Sequence, residues 1–345
     1  MPSLTPLHET YCKWDRTPPS QADVLEGLAQ LFSTSLNGVH ELIQVINIEV
    51  LKNAFGISAQ NAKNFQKRPS VQKAYQFSYG ALQKYGSCFL APGLRRIIEK
   101  FPTLHEKPLT PTLHFLVGVL NGIFGDYLLK QHSPLALPMV LYDHYGAIQQ
   151  GELAGRIVIL VHGLCMNHLT WSNAHYGGIG ERLLAQRDHN TMLYLNYNTG
   201  RRISANGRSF SNLLEDLVQR NPRITSIDLI GHSMGGLVSR SALFYGKQNM
   251  YQWIHMVENL VCIGSPHHGA VLERFGFALQ DRLGAFPFVG LIGQLVNIRS
   301  NGILDLRHGS VRDDDWEYMD ARIGMMDDNR APAPLPSHIN KIGRA

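Results

Sequence analysis

Charge of either sign is sparse in this chain. Asp, Glu, Lys and Arg make up 17% of 345 residues and leave a net charge of +5. Against a hydrophobic share of 44%, that excludes disorder as the main state, which needs low hydrophobicity and high net charge. The basic excess is not gathered into a stripe with interleaved aromatics. The nearest run, Lys63, Lys67 and Arg68, reads as a solvated helix end, so no nucleic-acid partner is expected. Cysteine is scarce too. Cys12, Cys88, Cys165 and Cys262 form no C-x-x-C pair, which points to free thiols in a reducing, cytoplasmic compartment. The N-terminus lacks a basic patch followed by an apolar stretch, so no secretory leader is expected. No apolar run reaches about 18 residues. Leu113–Leu129 comes nearest but is broken by His114, Gly118, Asn121, Gly122, Gly125 and Asp126. No membrane span is expected, and transient contact with a lipid surface stays open. The histidines, 16 in all, fit no H-E-x-x-H spacing, so no metal is expected.

What is present divides along the chain. At roughly 150 residues per domain, the length suits two domains, or one large α/β domain with additions. Residues 1–20 are polar and proline-containing, a flexible arm. Residues 21–110 read as a helical region. Val24, Leu25, Leu28, Leu31 and Phe32 recur at helical spacing, as do Leu42, Ile43, Ile46, Val50 and Leu51. Further helices are expected over 71–85 and 94–100. Residues 111–345 read as an α/β region. Short apolar runs at 157–161, 192–195, 227–230 and 260–263 alternate with amphipathic stretches, the pattern of βαβ units and a mostly parallel sheet. Between them, 180–186 reads as a helix, Asn206 as the N-cap of another that stops at Asn221-Pro222, and Met234 to about Tyr245 as a third. Residues 271–300 are apolar at helical spacing. They suit a lid over a cleft or a helix pair packed on the sheet, and residues 301–316 read as a loop.

Gly231-His232-Ser233-Met234-Gly235, followed by Gly236, is G-x-S-x-G framed by a strand and a helix. A serine on so tight a turn projects its hydroxyl from the sheet edge, and glycines avoid collisions with the flanking strand and helix. Upstream, the run 157–161 ends in His162-Gly163-Leu164. An ester carbonyl attacked by Ser233 becomes an oxyanion, and two backbone N–H groups should meet it. The expected donors are Met234, next to the nucleophile, and Leu164, after the earlier strand.

These residues, with Trp171, Asn196-Tyr197-Asn198-Thr199-Gly200 and Gly264-Ser265-Pro266-His267-His268-Gly269-Ala270, resemble the α/β-hydrolase superfamily on its lipase/esterase side. The likeness runs from about Leu120 to Trp316. It is nearest to bacterial relatives of the GPI inositol-deacylase group. Asn121–Asp126 and Pro134–Ala136 also fit. The resemblance implies a serine hydrolase of lipid or acyl esters, working through an acyl-enzyme on Ser233 with histidine as base and an acid behind it. No cofactor is implied.

In that family the acid and then the histidine follow later strands. Only residues 265–345 follow Gly264. The expectation is that the last two strands are missing from a truncated chain, with Ser337-His338-Ile339-Asn340 opening a strand just before the end. The triad acid and histidine are then unassigned. His267 and His268 suit a structural turn, Asp305 with His308 a surface loop, and His338 an exposed position. Two readings stay open: a serine esterase, thioesterase or acyltransferase, and a non-catalytic hydrolase remnant or binding module.

Overall fold

The computed structural model describes residues 17–33, 92–171, 190–269, 300–317 and 335–342. The expectations for 1–16, 42–51, 71–85, 180–186 and 271–299 lie outside them. The chain divides into two compact units: residues 19–136 with 272–299, and residues 1–18, 137–271 and 300–345.

In the first unit, α1 (Gln21–Ser33) buries Leu25, Leu28 and Leu31 at the spacing that aligns side chains on one helix face. Ser20 and Asp23 cap it reciprocally: the Ser20 amide donates to Asp23 Oδ2 (2.7 Å) and the Asp23 amide to Ser20 Oγ (3.2 Å). Helix α2 follows at 92–100. Helix α3 (Pro111–Lys130) starts at Thr110, whose hydroxyl accepts from Leu113 N, with proline at the first position. Its length and hydropathy suffice to cross a membrane, and 67% of its most apolar stretch is buried within the protein, as in a core helix. The buried Asn121 amide is satisfied locally, donating to Val117 O and Leu135 O, each at 2.8 Å.

The second unit is built on a sheet. Its strands are β1 (Val140–Tyr142), β2 (Ala154–Val161), β3 (Asn190–Asn196), β4 (Arg223–His232), β5 (Val257–Ile263) and β6 (Asn340–Ile342). They lie in the order β1-β3-β2-β4-β5-β6, with β1 antiparallel to β3 and every other pair parallel. Ile157–Val161 are all buried, so both faces of β2 are covered, and this is why the strand reads as an unbroken apolar run. Val158, Leu160, Met192, Tyr194 and Ile230 share one face with Tyr142 and Trp171. Helices α4 (Ile203–Arg220) and α5 (Met234–Gln248) supply the crossovers β3→β4 and β4→β5 that parallel pairing requires. Within the sheet the nearly buried Asp228 carboxylate is fully engaged. Arg156 pairs with Oδ2 at 2.5 Å and Asn259 Nδ2 donates to Oδ1 at 2.7 Å, tying β2, β4 and β5 together.

The structure corrects two local expectations and bears out a third. Residues 301–316 are not a loop: α6 (Asn301–His308) and the single turn α7 (Asp314–Glu317) lie there. Ser300 caps α6 by accepting from Ile303 N (3.3 Å), and left-handed Gly309 ends it. Asn206 is not an N-cap but lies inside α4, which begins after Arg202. Its amide instead donates to Asn198 O at 2.9 Å. The strand expected to open at Ser337–Asn340 is present as β6 and pairs Asn259 with Asn340, Leu260 with Lys341 and Val261 with Ile342.

Candidate active site

Strand register assembles the site. Val161 pairs with Gly231, and His232 with Ile263. The segments that leave β2, β4 and β5 therefore emerge side by side at the carboxyl edge of the sheet, where open α/β folds bind ligands. Ser233 occupies the one-residue turn between β4 and α5 at φ 53°, ψ −122°. A non-glycine residue holds that conformation only when its surroundings enforce it, at a cost of order 1–3 kcal/mol. The enforcement is visible. Ser233 N donates to Ile263 O at 2.8 Å, and Gly236 N donates to Ser233 O at 3.2 Å. A side chain at Gly231 would sit 2.5 Å from Gly236 Cα. One at Gly235 would overlap the Val161 carbonyl oxygen and lie 2.7 Å from that of His162. Helix α5 can start where it does only because both positions lack a Cβ.

The two expected oxyanion donors flank this turn. Met234 is fully buried and is the first residue of α5, so its N–H has no intrahelical acceptor. Gly163 begins the loop after β2, and a Cβ there would stand 3.1 Å from Ser233 Cβ. Leu164, the next residue, is buried, and its N–H has no hydrogen-bond acceptor among the described residues. Ser233 Oγ likewise carries no hydrogen bond among them, and the residue is 9% exposed.

The described histidines near the site are engaged elsewhere. His162 is fully buried, its Nδ1 lies 2.9 Å from Gly163 O, and burial holds its pKa down at about 4. Its ring stacks on Tyr197 at 4.5 Å, which makes it a packing residue. His232 meets the edge of Trp171 at 6.4 Å. His267 is also held at about 4, by burial first and then by the charges of Lys341 and Arg240. Arg240 Nη1 stands 3.5 Å from its Nδ1, where a base would need a carboxylate. Asp305 does not orient His308: it pairs with Arg202 at 2.5 Å and accepts from Ile203 N at 2.8 Å. His338 Nε2 lies 3.0 Å from Ile254 O. Among the described residues, no group of three or more His, Cys, Asp or Glu side chains could hold a metal. Cys165 and Cys262 are buried and form no disulfide among the described residues, and burial raises the pKa of both, Cys165 to about 12.

Residues 196–199 have a structural task that their sequence alone did not disclose. Tyr197 OH donates to His162 O (2.8 Å), Thr199 Oγ1 accepts from Cys165 N (3.2 Å) and Asn196 Oδ1 accepts from His168 N (3.3 Å). The signal available was a cluster of polar side chains directly after a buried strand.

A mostly parallel sheet with a strained serine between strand and helix defines the α/β-hydrolase class. Within it, the model of the PGAP1-like alpha/beta domain matches residues 152–339, and the chain belongs to that family. No curated protein matches the chain. Among solved structures, the mature Bacillus licheniformis lipase BlEst2 is 18% identical, with a TM-score of 0.34, over 50% of this chain and 62% of that one. A Pyrococcus furiosus esterase is 17% identical, with a TM-score of 0.31, over 50% of this chain and 63% of that one. The chain thus spans less than two-thirds of the length of either.

Proposed function

We propose that this protein is a serine hydrolase of carboxylic esters, lipid or acyl, with Ser233 as nucleophile. The observation that carries the reading is the backbone of Ser233, held at φ 53°, ψ −122° at the head of α5. Oγ adds to the ester carbonyl carbon, and its proton passes to a base. The carbonyl oxygen becomes an oxyanion that accepts from Met234 N–H and Leu164 N–H. The alcohol leaves with a proton, and water then releases the acid from the acyl-Ser233 ester. His162, Gly163, Gly231, His232 and Gly235 shape the turn and its neighbour loop. This chemistry calls for no metal or organic cofactor, no nucleic acid and no membrane span. A reducing cytoplasm suits Cys165 and Cys262, which form no disulfide among the described residues.

A second reading, a non-catalytic binding module, is favoured by one observation: no described histidine bonds Ser233 Oγ. A fluorophosphonate probe separates the two. The hydrolase reading expects covalent labelling at Ser233 and none in Ser233→Ala, with hydrolysis of nitrophenyl esters falling roughly a millionfold in kcat. A folded chain, intact by circular dichroism, that takes no label supports the binding module instead.

A further inference from the structure

We infer that Thr199 is a positioning residue that sets the Leu164 amide toward the oxyanion; the inference rests on the hydrolase reading above. The loop from His162 to Asn167 has no strand partner and no helix to hold its shape. Cys165 within it is left-handed at φ 59°, a conformation that side chains with a Cβ disfavour. Local interactions hold the loop only in part, through a turn in which Met166 N donates to Gly163 O at 3.3 Å.

A further hold comes from the segment after β3. Thr199 is fully buried, and its Oγ1 accepts from the Cys165 N–H at 3.2 Å. That N–H belongs to the peptide plane joining Leu164 to Cys165, and the Tyr197 hydroxyl holds the plane joining His162 to Gly163. The Leu164 N–H lies in the single plane between these two anchored ones, so its direction is restricted from both sides. Tyr197 and Asn196 grip the two ends of the loop, at His162 O and His168 N, and Thr199 grips its middle.

Thr199 is itself anchored. Asn206 Nδ2 donates to Asn198 O at 2.9 Å, Gly200 N to Asn198 Oδ1 at 3.1 Å and Gly302 N to Gly200 O at 2.9 Å. The hydroxyl therefore stands on a rigid turn and can transmit position. A misplacement of about 1 Å at a reacting centre costs on the order of a hundredfold in rate.

Thr199→Val keeps the shape and removes the acceptor, while Thr199→Ser keeps the acceptor. The expected result for Val is a loss of about 10- to 100-fold in kcat on a nitrophenyl ester, with KM within about twofold. Ser should recover kcat to within about threefold. Amide hydrogen exchange at Cys165 gives a readout independent of catalysis: slow in the unsubstituted chain, faster in Val, slow again in Ser. A folded Val variant with unchanged kcat overturns the inference and leaves the hydrolase reading standing. Should the Val variant fail to fold, fast exchange at Cys165 in the unsubstituted chain overturns the inference, and slow exchange with full activity in Ser supports it. An unsubstituted chain whose Ser233 takes no fluorophosphonate overturns both.

Discussion

The carboxyl edge of the sheet has two unlike halves. On the β2–β3–β4 side, strands of seven to ten residues pair in long register, and every side chain that braces the loop after β2 is buried. On the β5–β6 side, β6 is three exposed residues, and β5 opens into left-handed Gly264, where an added Cβ would meet no atom within 4 Å. The first half carries Ser233 and the two amides proposed to meet the oxyanion. The second is where a base and acid would be sought, and His267 is held neutral there. Ester hydrolysis divides the same way. Stabilising an oxyanion takes backbone amides that a strand register and one helix start can aim. Proton transfer takes side chains converging from separate elements, and the described residues supply no such convergence at Ser233.

The halves can be tested against each other with the same small change. The largest effect is expected at Gly235→Ala. The added methyl meets the Val161 and His162 carbonyls, which are backbone of β2 and its end and cannot rotate aside. Either α5 or the Gly163–Leu164 loop must shift, and urea unfolding should show a loss of about 3 kcal/mol or more. Ser233 labelling should fall with it. A loss under about 1 kcal/mol would show that the two halves do not differ in rigidity as drawn.

A smaller, pH-dependent effect is expected at Asp305, which ties α6 to the start of α4. Burial pushes its carboxyl up to about 6 despite the Arg202 guanidinium and the Ile203 amide, with Asp315 adding repulsion. In the unfolded chain the value is the ordinary 3.8. Between those values the native state binds more protons than the unfolded one, so this group's contribution to stability falls as pH rises through the interval. From about pH 4.5 to 7 that amounts to roughly 2 kcal/mol. Asp305→Asn should remove this slope, read as the difference between the urea midpoints of the two proteins across the range. Equal slopes would mean that Arg202 keeps the carboxyl in its ordinary range.

The same anchoring shows what the sequence disclosed and what it hid. Ser233, its glycines and the strands at 157–161, 227–230 and 260–263 were legible because their causes are local: an apolar period, a strand-to-helix frame, a turn that tolerates no side chain. Helix α6 was not. Its eight residues begin Asn301-Gly302, a pair that reads as a turn, and its hold is tertiary, through Gly302 N to Gly200 O and Asp305 to Arg202. The start of α4 was misplaced for the same reason. The group that satisfies Ile203 N is Asp305, 102 residues away, whereas Asn206 looked like a local cap. The bracing by Tyr197 and Thr199 was hidden because hydrogen bonds across a gap of 34 or 35 residues leave no periodic trace.

The smallest effect is expected on the open half. Gly264 is left-handed at φ 59°, yet no atom lies within 4 Å of where its Cβ would be. Gly264→Ala therefore meets no collision and costs only the backbone strain of a left-handed L-residue, about 1 kcal/mol. Since Ile263 O holds the Ser233 amide one residue earlier, an alanine tolerated in place should leave labelling of Ser233 at the unsubstituted rate. A loss of labelling with stability nearly unchanged would mean that the turn after β5 aims the nucleophile as closely as the loop after β2. The contrast between the two halves would then lie in packing alone and not in their contribution to the chemistry.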